Sequence, residues 1–83
     1  MKVTVRYFAS VRERLGAQEL VEAPAGATAG MLRDMLIALD EEHAAVLGRG
    51  RLLRMALNQE MCEEGALVQD GAELAFFPPV TGG

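Results

Sequence analysis

Met31, Leu32, Met35, Leu36 and Leu39 recur at helical spacing behind Thr28, and no other stretch of this 83-residue chain carries such a stripe. A single amphipathic helix must bury its apolar side against something, and the segments around it alternate with a period of two. The chain is therefore constrained to one helix laid on a small sheet. Thr28 is the expected N-cap, and the spacing predicts about three turns from Thr28 to Leu39. Ile37 falls off the stripe and is expected to touch a neighbouring segment.

Lys2 to Phe8 places Val3, Val5 and Tyr7 on one face and Lys2, Thr4, Arg6 and Phe8 on the other, which reads as a half-buried strand. Ala9 to Gly16 reads as a helical turn or loop. Gln18 to Ala23 is a second strand with Val21 and Ala23 inward, ended by Pro24. Ala44 to Leu47 suggests a further short helical turn. Arg51 to Leu57 is a third strand with Leu53, Met55 and Leu57 inward and Arg54 outward. Asn58-Gln59-Glu60 is a turn leading to Met61 and Cys62, and Ala66 to Val68 is a short strand or loop. Asp70-Gly71 is a turn, and Ala72 to Phe77 is the last strand, stopped by Pro78. This order predicts an α+β domain with a mixed sheet and one main helix packed on one face, the ubiquitin-like β-grasp order. Residues 1–83 form one domain in this reading, with a flexible tail over 78–83.

Period-two alternation also defines what the helix leaves uncovered. With Leu74 and Phe76 facing the core, Phe77 turns to the other side, where Phe8 also points, with Met61 beside them. Such an apolar patch marks a protein interface; the competing account is a loop lying over it. The net charge of −4 argues against a nucleic-acid backbone or an anionic membrane as partner. No apolar run approaches a membrane span, and Lys2 and Arg6 break the N-terminal apolar stretch, which does not fit a secretory signal. Cytoplasmic is the default expectation. Cys62 is the only cysteine and reads as a small buried hydrophobe. His43 has no second His or Cys near it, so no metal site is expected and it reads as a surface or helix-end residue. Gly26 and Gly30 lack the Gly-Lys-Ser/Thr of a phosphate loop. Arg49, Arg51 and Arg54 read as part of an exposed strand face.

With no catalytic constellation in the body, chemistry falls to the end of the chain. Pro78 and Pro79 favour an extended path away from the sheet. Gly82 and Gly83 let the backbone enter a narrow slot. A carboxylate must be activated before it reacts at neutral pH. ATP converts it to an acyl-adenylate, which sulfur can then turn into a thiocarboxylate or an amine into an isopeptide. This chain has no ATP site, so an activating partner must supply one.

The ending Phe76-Phe77-Pro78-Pro79-Val80-Thr81-Gly82-Gly83 resembles that of molybdopterin synthase small subunits, the sulfur-carrier family of molybdenum-cofactor biosynthesis. Tyr7-Phe8-Ala9-Ser10-Val11-Arg12-Glu13, Gly26-Ala27-Thr28 and Leu57-Asn58-Gln59 resemble the family as well. The resemblance implies a β-grasp fold, a heterotetramer with two large catalytic subunits, and an E1-like enzyme that uses ATP to adenylate Gly83. A sulfur donor protein then makes the thiocarboxylate, and the large subunit uses its sulfur to build the molybdopterin dithiolene. Gly83 is thus the carrier residue, while Thr81 and Gly82 thread the partner's site. Phe8, Met61, Phe77, Pro78, Pro79 and Val80 form the partner interface, and no cofactor is bound by the chain itself. Sulfur carriers for thiazole synthesis or tRNA thiolation, and ubiquitin-like modifiers joined through Gly83, are the alternatives.

Overall fold

The structure is a computed structural model and describes residues 1–79. Val80, Thr81, Gly82 and Gly83, where the sequence reading puts the end of the partner interface, the threading arm and the carrier residue, lie outside the described residues. Along the chain run β1 (Lys2–Tyr7), α1 (Ala9–Leu15), β2 (Gln18–Glu22), α2 (Ala29–Ile37), α3 (Glu41–Leu47), β3 (Arg54–Leu57), β4 (Glu60–Cys62) and β5 (Glu73–Phe77). The strands form one sheet in the order β2-β1-β5-β3-β4. β1 and β5 are parallel and the other neighbours antiparallel. This is the mixed-sheet β-grasp arrangement expected from the sequence. Its consequence is that the chain leaves the sheet at Phe77 from the central strand.

The core lies between the sheet and the helices. Val3, Val5, Tyr7, Leu74, Phe76 and Met55 supply the sheet side, and Val11, Leu32, Leu36 and Leu47 the helical side. Tyr7 and Phe76, opposite each other in the register, stack with ring centroids 6.2 Å apart. Burying the Phe76 ring alone stabilises the fold by about 2–3 kcal/mol. Val21 and Ile37 pack against this core, as their positions predict.

The face of α2 differs from the expected stripe. The buried positions are Ala29, Gly30, Leu32, Arg33 and Leu36, while Met31, Met35 and Leu39 are exposed. The helix is rotated because Arg33 faces inward. Its Nε donates to Leu47 O at 2.8 Å, and Nη2 donates to Gly48 O at 2.9 Å and Arg51 O at 3.2 Å. One guanidinium thereby caps the C-terminal carbonyls of α3, which no helix satisfies internally. Burial pulls the Arg33 pKa down from the usual arginine range, with Arg49 acting in the same direction.

Two further expectations change. The segment Ala66–Val68 pairs with the start of α2 instead of making the fourth strand. Ala29 N donates to Ala66 O, Gly30 N to Glu64 O, and Val68 N to Ala27 O. Helix-start N–H groups need such acceptors. A Cβ on Gly30 would sit 2.8–2.9 Å from Glu64 side-chain atoms, so glycine is what permits the strap. The fourth strand is Glu60–Cys62, brought alongside β3 by a two-residue turn. Arg49, Arg51 and Arg54 also do not share one strand face. Arg49 is paired with Asp34 and Glu64, and Arg51 donates to Ala45 O; only Arg54 stands on a strand.

Candidate functional site

The sheet surface away from the helices is built by register. Arg6 of β1 opposes Ala75 of β5, Ala75 opposes Ala56 of β3, and Ala56 opposes Met61 of β4. One row of side chains thus crosses four strands. In the adjacent row Arg54 opposes Phe77, and Phe8 follows Tyr7 at the end of β1. Phe8 is half-buried because its backbone, tied to Phe76 O through its N–H, opens α1 as the N-cap residue.

The small side chains of Ala56 and Ala75 leave a floor between these larger groups. Around it Arg6, Phe8, Ala9, Gln59, Phe77, Pro78 and Pro79 enclose a depression of about 760 Å³. Phe8, Phe77, Pro78 and Pro79, all named from the sequence, meet here. Met61 lies at the outer end of the same row and is 57% exposed. Its position follows from the Asn58-Gln59 turn, whose residues both have positive φ, 50° and 71°. That is the tight hairpin geometry whose twist matches the flanking strands. Asn58 N donates to Glu73 O and its Oδ1 accepts from Glu73 N, which ties the hairpin to the start of β5.

Arg6, Ala56 and Ala75 were not singled out from the sequence. The signal for the alanines is the pair of small residues at outward strand positions, where β-branched or polar residues are the norm. The arginine lies with its guanidinium carbon 5.2 Å from the Phe8 ring centroid. Cys62 falls in the neighbouring row, toward the core side, and burial pushes its thiol pKa up. That is the opposite of what a thiolate nucleophile needs.

A second polar cluster lies on the covered side, away from the tail. Tyr7 Oη donates to Glu19 Oε2 at 2.7 Å, and His43 Nε2 contacts the same oxygen at 2.7 Å. His43 Nδ1 lies 2.8 Å from Asp40 Oδ1, which also caps α3 by accepting from His43 N. Burial, reinforced by Glu19, raises the Tyr7 pKa above the usual phenol range. Burial opposes the His43 imidazolium, but Glu19 and Asp40 outweigh it, and the pKa stands above the ordinary histidine value. The cluster joins β1, β2 and α3 through the Tyr7 hydroxyl and both His43 ring nitrogens, so it acts as a structural clamp.

Among the described residues no group of three or more His, Cys, Asp and Glu side chains is arranged to hold a metal ion, and no helix is long and apolar enough to cross a membrane. The open face and the root of the tail remain as the site. The model of the ThiS family matches residues 5–83. The chain belongs to the ThiS family. A curated relative, the molybdopterin synthase sulfur carrier subunit of Haemophilus influenzae, is 38% identical over 81 residues, covering 98% of this chain and 99% of the relative. Among solved structures, SAMP1 of Haloferax volcanii covers 100% of both chains at 28% identity with a TM-score of 0.80. A subunit in the complex of subunits 1 and 2 of the molybdopterin-converting factor from Helicobacter pylori also covers 100% of both chains, at 26% identity and a TM-score of 0.71. The ThiS-family chain thus shares its β-grasp fold with proteins of known structure.

Proposed function

We propose that this ThiS-family chain is a sulfur carrier and the small subunit of a molybdopterin synthase. The observation that carries the reading is the position of the apolar depression at the root of the tail. Phe77, Pro78 and Pro79 line the depression and lead directly into Val80-Thr81-Gly82-Gly83. A partner bound on the open face therefore meets the tail at a fixed starting point. From Pro78 onward the six residues reach about 20 Å when extended, enough to enter a neighbouring active site. The H. influenzae relative is named for sulfur carriage, and the H. pylori neighbour is a complex with a second subunit, which supports a large-subunit partner here.

In this reading an E1-like enzyme binds ATP, and a Gly83 carboxylate oxygen attacks the α-phosphorus, releasing pyrophosphate. A hydrosulfide equivalent from a sulfur donor protein then displaces AMP, releasing a proton and leaving –C(=O)S⁻. The large subunit holds the catalytic residues and takes the sulfur, two of each subunit forming a heterotetramer. Thr81 and Gly82 thread its site, and Phe8, Met61, Phe77, Pro78, Pro79 and Val80 form the contact. Incubation with ATP, the E1-like enzyme and a sulfur source is expected to replace one terminal oxygen by sulfur. An intact mass unchanged at Gly83 rules the carrier reading out.

A second reading is favoured by the similarity to SAMP1, a small archaeal modifier protein. There an amine captures the activated carbonyl and forms an isopeptide bond. Adducts that survive thiol reductants in cell extract distinguish that outcome from a thiocarboxylate.

A further inference from the structure

The docking face carries one feature that apolar association does not explain. Arg14, Arg33, Arg49 and Arg51 all donate hydrogen bonds within the fold. Arg6 donates none among the described residues, and its Nε is buried without an acceptor. Among the described residues the nearest carboxylate oxygen, Glu73 Oε1, is 3.7 Å from Nη1, beyond hydrogen-bonding distance, and the Arg6 side chain is 39% exposed. Its register neighbour across β5 is Ala75, with Ala56 beyond, and neither has a polar atom to offer. A buried polar group left unpaired is unusual and calls for a partner.

Arg6 also sits inside the depression, stacked on Phe8 and facing the same space as Phe77. A purely apolar partner laid over this face would remove water from the guanidinium and return no acceptor. Arg54 opposes Phe77 on the same face, whereas Glu73 is the one acidic group lining the depression. The lining itself holds one cation, Arg6, and one acid, Glu73, and Arg54 adds a second cation beside Phe77.

Building on the docking face proposed above, we infer that Arg6 is its specificity-determining residue, read by a carboxylate that the large subunit places over the Phe8–Ala75 floor. A carboxylate matches the planar fork of an arginine with two parallel hydrogen bonds. Stacking on Phe8 orients the fork before binding, so the pair forms with little loss of side-chain freedom. Acidity in the partner is selected, and a face that is only apolar is rejected.

The test is titration calorimetry of the full chain against the large subunit encoded in the same genome. Wild type, Arg6→Leu, Arg6→Gln and Phe77→Ala are compared at low and high salt, with melting temperatures confirming that each is folded. Arg6→Leu and Arg6→Gln are expected to weaken binding at low salt by at least about tenfold, and to flatten its salt dependence. Binding by both Arg6 variants at wild-type strength, while Phe77→Ala weakens it, overturns the role of Arg6 and leaves the docking face standing. If Phe77→Ala also binds at wild-type strength, the docking face itself is wrong and the inference falls with it.

Discussion

His43 lies between Glu19 Oε2 and Asp40 Oδ1, and only a doubly protonated ring donates to both. Its pKa is raised above the ordinary value of 6.5, so the charged form is favoured by folding. The stabilisation is complete below that ordinary value and fades as pH rises through the raised one. Asp40 has the opposite sense. The backbone N–H of His43, and then its ring, hold the Asp40 pKa below the usual carboxylate value, so its contribution is lost as pH falls through the lowered one. Arg14 of α1 faces Glu42 of α3 and is neutralised there, which leaves Glu19, Asp40 and the neutral Tyr7 phenol as the groups around the imidazole. Urea denaturation is expected to show wild type more stable than His43→Gln at pH 6, with the difference smaller at pH 9. An equal difference at both pH values means that folding does not shift the His43 pKa. Arg33 is the other residue whose role rests on one side chain. Arg33→Leu keeps apolar volume but leaves the Leu47 and Gly48 carbonyls without their donor, at a cost of about 3 kcal/mol. Thermal melting measures this, and an unchanged midpoint shows that the carbonyls find other partners.

The β3–β4 hairpin turns on Asn58 and Gln59, both in the left-handed region. Asn tolerates that conformation, whereas a long side chain at the second position is strained and glycine is the favoured residue. Gln59→Gly is therefore expected to raise stability by about 0.5–1 kcal/mol in a urea titration. A loss of stability instead shows that the Gln59 side chain contributes contacts that outweigh the strain. The same hairpin marks where sequence reading stops. β1 and β5 were legible because Val3, Val5, Tyr7 and then Leu74, Phe76 alternate over a full strand length. The N-cap at Thr28 was legible because its hydroxyl accepts from Met31 N, a purely local bond. β4 is only three residues long, too short for alternation to register, and the Ala66–Val68 run looked more strand-like. The face of α2 was misread because Met31, Met35 and Leu39 form a better apolar row than the buried set containing Arg33. Nothing in local spacing shows that an arginine will cap a helix 14 residues away. The proposed docking face was legible in Phe8 and Phe77, since period two sends both outward, and the two prolines were legible as the stop of the last strand. Its alanine floor and its arginine became visible only through the cross-strand register.

The fold separates what holds the chain together from what the tail presents. Among the described residues the core closes at Phe76, and Phe77 begins the outward face. Deleting Gly83 is expected to leave the melting temperature unchanged while abolishing thiocarboxylate formation in the mass-spectrometric assay. A large drop in melting temperature shows instead that the terminus belongs to the core. Phe77→Ala probes the join between the two parts. The ring is half-buried and lines the depression together with Pro78, Phe8 and the alanine floor, so its loss removes an aromatic anchor from the proposed contact. Aromatic anchors in such positions carry a large share of interface energy. Affinity for the large subunit is expected to fall by about 2 kcal/mol, or roughly thirtyfold. Adenylation of Gly83 is the discriminating second measurement. If the E1-like enzyme uses the same open face, Phe77→Ala slows adenylation at limiting protein concentration and recovers at saturation. If adenylation is unaffected at every concentration, the activating enzyme grips the tail alone. The two partners then contact different parts of the folded body and compete only for the tail. Shared use of the face forces the carrier to leave one partner before meeting the next, and makes dissociation part of the sulfur-transfer cycle.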